Sequence, residues 1–170
     1  MAETLDCALD DEVLEKADRV LKLACERELK LATAESCTGG LLATLLTDIP
    51  GCSHAFERGF VVYSEKAKCE LLSIQPERIA NCGAVSKEVA IEMAQGALIA
   101  SEADVAVSIT GFAGPGENGD EEGLVHIACV TRGSDPLHRE EHFGTIGRAG
   151  VRRATVDVAL TMIEEAAMRA

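Results

Sequence analysis

Apolar residues recur at helical spacing along some stretches and stand in short continuous runs along others, and the switches between the two lay out the elements. Val13, Ala17, Val20, Leu21, Ala24 and Cys25 stand at helical spacing behind Asp10, with Asp11 and Glu12 in the first turn. That spacing predicts an amphipathic helix of about four turns, with Asp10 available as its cap. Leu31 to Ala34 reads as a first strand, and Leu41 to Leu46 as a buried helix that Ile49-Pro50-Gly51 stops. Phe60-Val61-Val62-Tyr63 reads as a second strand, apolar enough throughout to lie inside a sheet.

Ser64 is placed to cap a helix over Glu65 to Leu72, and Pro76 opens a short one. Ser86 caps another, on which Val89, Met93, Gly96, Ala97 and Ala100 share a face. Val105 to Ile109 and Leu124 to Val130 are β-rich runs separated by a glycine-rich loop, Gly111 to Gly119. A shorter strand near Leu137 to Phe143 precedes a last helix that turns Val151, Val158, Ala159, Met162 and Ile163 inward. Strands and helices thus alternate until a late strand pair, which predicts a single three-layer α/β/α domain with a mixed sheet spanning residues 1–170, with about 1–9 as a flexible start.

Composition narrows the partners. A formal net charge of -13, one Tyr, four Phe and no Trp leave few reagents for neutralising phosphates or stacking bases, so neither nucleic acid nor an anionic membrane is an expected partner. Cys7, Cys25, Cys37, Cys52, Cys69, Cys82 and Cys129 are odd in number, widely spread and never form a C-x-x-C pair. That fits free thiols in a reducing compartment better than a disulfide framework or a zinc site. His54, His126, His138 and His142 form no metal-ligand pattern. Met1 to Asp11 is acidic, with no basic segment followed by an apolar one, so no secretory leader is expected and the cytoplasm is the expected location.

Candidate chemistry gathers at turns. Thr33-Ala34-Glu35-Ser36-Cys37-Thr38-Gly39-Gly40 runs from a strand into the start of a helix. The first N–H groups of a helix have no intrahelical partner, so a hydroxyl or an anion is well served there. Ser36 is a candidate nucleophile, with the N–H groups of Cys37 to Gly39 as donors to an oxyanion; alternatively Ser36 or Thr38 simply caps the helix. Cys37, in the same turn, is the rival nucleophile.

Tyr63-Ser64-Glu65-Lys66-Ala67-Lys68 begins the next crossover, and in a doubly wound sheet its turn shares the carboxyl edge with the first. A lysine there is a possible base for Ser36, with Tyr63 as proton relay or positioner. Lys66 and Lys68 point about 200° apart on a helix, so one at most serves the site. The loop from Thr110 to Gly119 lacks the spacing of a phosphate-binding motif, yet its glycines suit a backbone that contacts a ligand. Arg148, Arg152 and Arg153 open the last helix against its dipole, a placement that suits a phosphate or carboxylate partner; the alternative is pairing with the chain's own acidic side chains.

Five blocks, in order, resemble the CinA C-terminal domain family, whose characterised activity is nicotinamide-nucleotide amidohydrolase: Ala34-Glu35-Ser36-Cys37-Thr38-Gly39-Gly40, Phe56 to Ser64, Gly83-Ala84-Val85-Ser86, Ser108 to Pro115 and Val151-Arg152-Arg153-Ala154-Thr155. The resemblance covers the chain from about residue 10 onward. It implies a five-stranded mixed sheet and hydrolysis of nicotinamide mononucleotide to nicotinate mononucleotide and ammonia, with no metal or organic cofactor. It further implies Ser36, Tyr63 and Lys68 as the catalytic set, Lys68 rather than Lys66 standing five residues after the tyrosine.

For that chemistry, Thr38, Gly39 and Gly40 of the turn are expected to hold the oxyanion, and Thr110, Gly111 and Gly114 of the loop, with Arg148 or Arg152, to bind the 5′-phosphate. A symmetric dimer is the expected assembly. The chain departs from the family pattern at Glu117-Asn118-Gly119-Asp120-Glu121-Glu122-Gly123, which is acidic where Gly-Gly and Lys-Pro are common. Longer relatives carry a further N-terminal domain, which is not expected within these 170 residues. The contrasting expectation is a domain of the same fold that binds a nucleotide or a protein without turning it over.

Overall fold

The computed structural model describes residues 9–116 and 118–170, apart from the Ser53 side chain. The expected flexible start (save Leu9), Cys7, and Glu117 of the acidic loop lie outside the described residues. The elements are α1 (Asp11–Glu26), β1 (Leu31–Glu35), α2 (Leu41–Asp48), β2 (Phe56–Val61), α3 (Glu65–Leu72), α4 (Pro76–Cys82), α5 (Lys87–Ile99), β3 (Val105–Gly111), β4 (Leu124–Thr131), β5 (Leu137–His142) and α6 (Gly147–Arg169), with one 3-10 turn at Ser53–Ala55. The five strands lie in the order β2-β1-β3-β4-β5. β1 runs parallel to both β2 and β3, while β4 and β5 are antiparallel additions, so the sheet is mixed as expected.

Alternation along the central strands sorts side chains by size. Leu31, Val105, Val107, Ile109, Val125 and Ile127 face one way, into a core shared with α1, α2 and α6. Ala32, Ala34, Ala106 and Ala128 face the other, beneath α3, α4 and α5. Small residues on that face let α5 lie close to the sheet, where the Ser108 hydroxyl donates to Ala90 O at 2.5 Å. Gly96 of α5 does the same for α3: a Cβ there would stand 2.3 Å from Leu72 O, so only glycine admits the approach that seats the helix carrying Lys68.

Two expectations are corrected. The second strand begins earlier than the apolar run and ends at Val61, and it is an edge strand with Val61 51% exposed rather than an interior one. Its apolar run reads as interior because Val62, beyond the strand's end, is fully buried and its N–H still donates to Glu35 O at 2.8 Å. Ala100 ends α5 exposed instead of sharing its buried face.

Candidate active site

β1 delivers its last residue, Glu35, to the carboxyl edge of the sheet, and the chain turns there. Ser36 is pinned at the turn because its N–H donates to Ile109 O of the neighbouring β3 at 3.0 Å. Gly39 and Gly40 then take φ of +60° and +93°, a region that side-chain-bearing residues rarely enter, which is why the turn needs two glycines before α2. The helix is capped by neither Ser36 nor Thr38. The Glu35 carboxylate, 1% exposed, reaches over the turn and accepts from the N–H groups of Leu42 at 3.1 Å and Ala43 at 2.8 Å.

That cap occupies the helix donors and changes where an oxyanion can bind. Gly39 N–H donates to Ser36 O at 3.0 Å and is not available to a substrate. The N–H groups of Cys37 and Thr38 have no carbonyl or carboxylate acceptor among the described residues. Thr38 is fully buried, so of these the Cys37 N–H is the donor the turn leaves open to a ligand.

The second crossover brings in the amine. Ser64 caps α3, its hydroxyl accepting from Ala67 N–H at 3.0 Å, and this fixes the first helical turn. Lys68 follows on the inward face, four residues before the buried Leu72, and is itself only 2% exposed. Its Nζ lies 3.0 Å from Ser36 Oγ and 2.9 Å from Val62 O. A neutral amine in this position donates one N–H to the carbonyl and turns its lone pair to the serine hydroxyl. Burial pushes the Lys68 ammonium toward deprotonation, below the usual 10.5, against smaller opposing pulls from Cys37, Glu65 and Cys69. Lys66 is 82% exposed and pairs with Glu70 at 3.5 Å on the outer face.

Tyr63 stands at the mouth of the cleft, 68% exposed. No hydrogen bond among the described residues joins it to Ser36 or Lys68; the group that holds the amine is the Val62 carbonyl. Cys37 faces the same cleft, but burial raises its pKa to about 11, so its thiolate is scarce near neutrality.

The cleft encloses about 280 Å³. Its floor is Ser36 and Lys68, its walls are Ala84, Val85, Phe112, Ala113 and Pro115, and Arg148 stands at its rim. Apolar walls with a few polar groups converging on one end suit a small, flat, partly charged ligand. Thr110, Gly111 and Gly114 line it as expected, each also with a structural duty. The Thr110 hydroxyl donates to Ala84 O at 2.7 Å and joins β3 to the approach of α5. Gly111 is required by β4, since a Cβ there would meet Leu124 O at 2.8 Å, and the Arg148 guanidinium packs over Gly114.

Thr38, Gly39, Gly40 and Arg152 are not among the cleft-lining residues. Thr38 is fully buried, and Arg152 donates to Thr38 O at 2.7 Å, bracing the turn from α6 rather than meeting a substrate. Within the acidic segment, Asp120 packs against Gly116 at the cleft edge, and Glu121 bonds His142 at 2.6 Å. Among the described residues no cluster of histidine, cysteine or carboxylate side chains is arranged to hold a metal, and no helix is long and apolar enough to cross a membrane.

Glu35 is the functional residue that pattern reading passed over. Its signal was present, since a charged residue closing a wholly buried strand needs a partner of its own.

Comparison with known proteins agrees with this architecture. The model of the CinA C-terminal domain matches residues 14–167. The chain is 44% identical over 154 residues to the nicotinamide-nucleotide amidohydrolase PncC of Escherichia coli (strain K12), covering 89% of this chain and 92% of that protein. It is 40% identical over 159 residues to a putative competence-damage inducible protein of Caldicellulosiruptor bescii, of which it spans only 38%. The crystal structure of the competence/damage inducible protein CihA from Agrobacterium tumefaciens superposes with a TM-score of 0.89 at 43% identity, over 92% of this chain and 96% of that one.

Proposed function

Because the chain belongs to the CinA C-terminal domain family, we propose that it is an amidohydrolase that converts nicotinamide mononucleotide to nicotinate mononucleotide and ammonia. The observation that carries this reading is the buried Lys68 amine 3.0 Å from Ser36 Oγ, at the floor of a cleft with apolar walls and a cationic rim.

Ser36 Oγ attacks the carboxamide carbon while Lys68 Nζ takes its proton. The Cys37 N–H receives the oxyanion. Lys68 returns the proton to the departing nitrogen, ammonia leaves, and an ester remains on Ser36. Water then opens the ester, with Lys68 again the base, and nicotinate mononucleotide is released. Phe112 and Pro115 flank the pyridine ring, Arg148 binds the 5′-phosphate, and Tyr63 closes over the substrate from the mouth.

A module that only binds gives no reason to hold an amine in a buried site against a hydroxyl, where desolvation penalises its charge. The reading places the enzyme in pyridine nucleotide salvage in the cytoplasm, as a symmetric dimer. The unpaired outer edge of β2, with Val61 and Tyr63 exposed, supports the last point.

The test is direct. Purified protein incubated with nicotinamide mononucleotide is assayed for ammonia and for the acid product, beside Ser36→Ala with its folding checked by circular dichroism. Stoichiometric products from the wild type and none from the folded variant support the proposal. A wild-type protein that binds the nucleotide and releases no ammonia refutes it.

A further inference from the structure

Away from the cleft, Cys25, Cys52 and His54 come together where the end of α1 meets the segment leading into β2. The Cys25 thiol donates to Cys52 O at 3.7 Å, and its sulfur stands 3.5 Å from His54 Nε2. Both cysteines are partly exposed, whereas Cys37 and Cys129 are buried. A cavity of about 300 Å³ opens beside the pair, lined in part by Cys25, Glu28, Lys30 and His54. It exposes the Cys25 side of the pair, and Cys52 is itself partly exposed. No other two cysteines among the described residues share such a contact.

We propose that Cys25 and Cys52 are a redox-responsive pair that forms a reversible disulfide, with a low-molecular-weight disulfide as oxidant and His54 as the proton acceptor.

The order of events follows from the surroundings of each sulfur. Burial and then the neighbouring Cys52 thiol hold the Cys25 pKa up, to about 11. With the Cys25 proton held in this way and Cys52 partly exposed, Cys52 reacts first. Its thiolate attacks one sulfur of the small disulfide, forming a mixed disulfide and expelling one small thiolate. Cys52 then carries no charge, and part of what held the Cys25 proton is gone.

His54 Nε2 accepts that proton, the Cys25 sulfur attacks Cys52 Sγ, and the second small thiolate leaves and takes up the proton. Two protein thiols are oxidised and one small disulfide is reduced to two thiols. The new bond ties the end of α1 to the α2–β2 connection and removes freedom from the unfolded chain, so the oxidised protein melts at a higher temperature.

The experiment poises the native full chain across a series of glutathione and glutathione disulfide ratios, quenches with an alkylating agent and maps the peptides. A Cys25–Cys52 linked peptide is expected, accompanied by loss of two alkylatable thiols and a melting temperature that falls back on adding reductant. Cys25→Ser is expected to stop at a mixed disulfide on Cys52, and His54→Gln to accumulate that same species because its resolution is slowed. The proposal is overturned if both thiols stay alkylatable across the whole series, or if oxidation joins either one to a different cysteine. Neither thiol lines the Ser36 cleft, so the ammonia assay and this one fail independently.

Discussion

Replacing Lys68 by methionine removes the amine while keeping an unbranched apolar stem in the same space. In the native protein Nζ is 3.0 Å from Ser36 Oγ and 2.9 Å from Val62 O, in a residue 2% exposed. Two effects on stability oppose each other. The buried carbonyl loses its donor and the serine hydroxyl its acceptor, at a cost of about 1–3 kcal/mol. A buried group whose charging is penalised disappears, which returns about 1–4 kcal/mol. On these ranges the net change at neutral pH lies between about 2 kcal/mol lost and about 3 kcal/mol gained.

Linkage makes the difference depend on pH. The folded Lys68 pKa is lowered from 10.5, so between that lowered value and 10.5 the unfolded chain binds more protons, and wild-type stability rises with pH across the window. The penalty is fully present below the folded pKa, which is where Lys68→Met gains most. Activity behaves differently. Loss of the base is expected to reduce kcat/KM by about 10²–10⁴-fold, equivalent to roughly 3–5 kcal/mol of barrier. Wild-type kcat/KM rises with pH through an ionisation below 10.5, and the variant lacks that limb. Ammonia release measured over a pH series, beside thermal melts, tests both. A Lys68→Met protein within tenfold of wild-type activity, or with the same pH limb, refutes the assignment of the base.

Cys37→Ala is expected to leave kcat within about threefold, because a thiol held near pKa 11 supplies little thiolate; steady-state ammonia release checks it. Arg148→Ala is expected to raise KM for nicotinamide mononucleotide by roughly 10–100-fold, the worth of one charged hydrogen bond, with little change for the riboside that lacks the phosphate. Glu35→Ala leaves two helix N–H groups uncapped in a buried site and is expected to cost about 2–3 kcal/mol in urea unfolding.

Much of this was legible in the chain. An apolar run ending in small polar residues and two glycines forces a strand, a turn and a helix start, and the φ values of Gly39 and Gly40 are the reason no other residue type stands there. Continuous apolar runs located the central strands because both sheet faces are buried there. They misplaced β2, since apolar character reports burial and not hydrogen bonding, and Val62 is buried beyond the strand's end. Helical spacing alone left Lys66 and Lys68 open, and tertiary packing separates them, since Lys68 shares its face with Leu72.

Pairings between distant side chains were out of reach. The Glu35 cap, the Arg152 brace on Thr38 O and the meeting of Cys25 with Cys52 depend on where elements dock, which periodicity does not encode.

The central claim is that the Ser36 hydroxyl, activated by Lys68, becomes covalently acylated. Acid-quenching the enzyme during turnover of nicotinamide mononucleotide and sequencing its peptides by mass spectrometry tests this most directly. The account predicts the nicotinate mononucleotide acyl group as an ester on Ser36. The acyl group on Cys37 instead, or ammonia accumulating at full rate from a protein in which Ser36 is alanine and no residue is labelled, would contradict it.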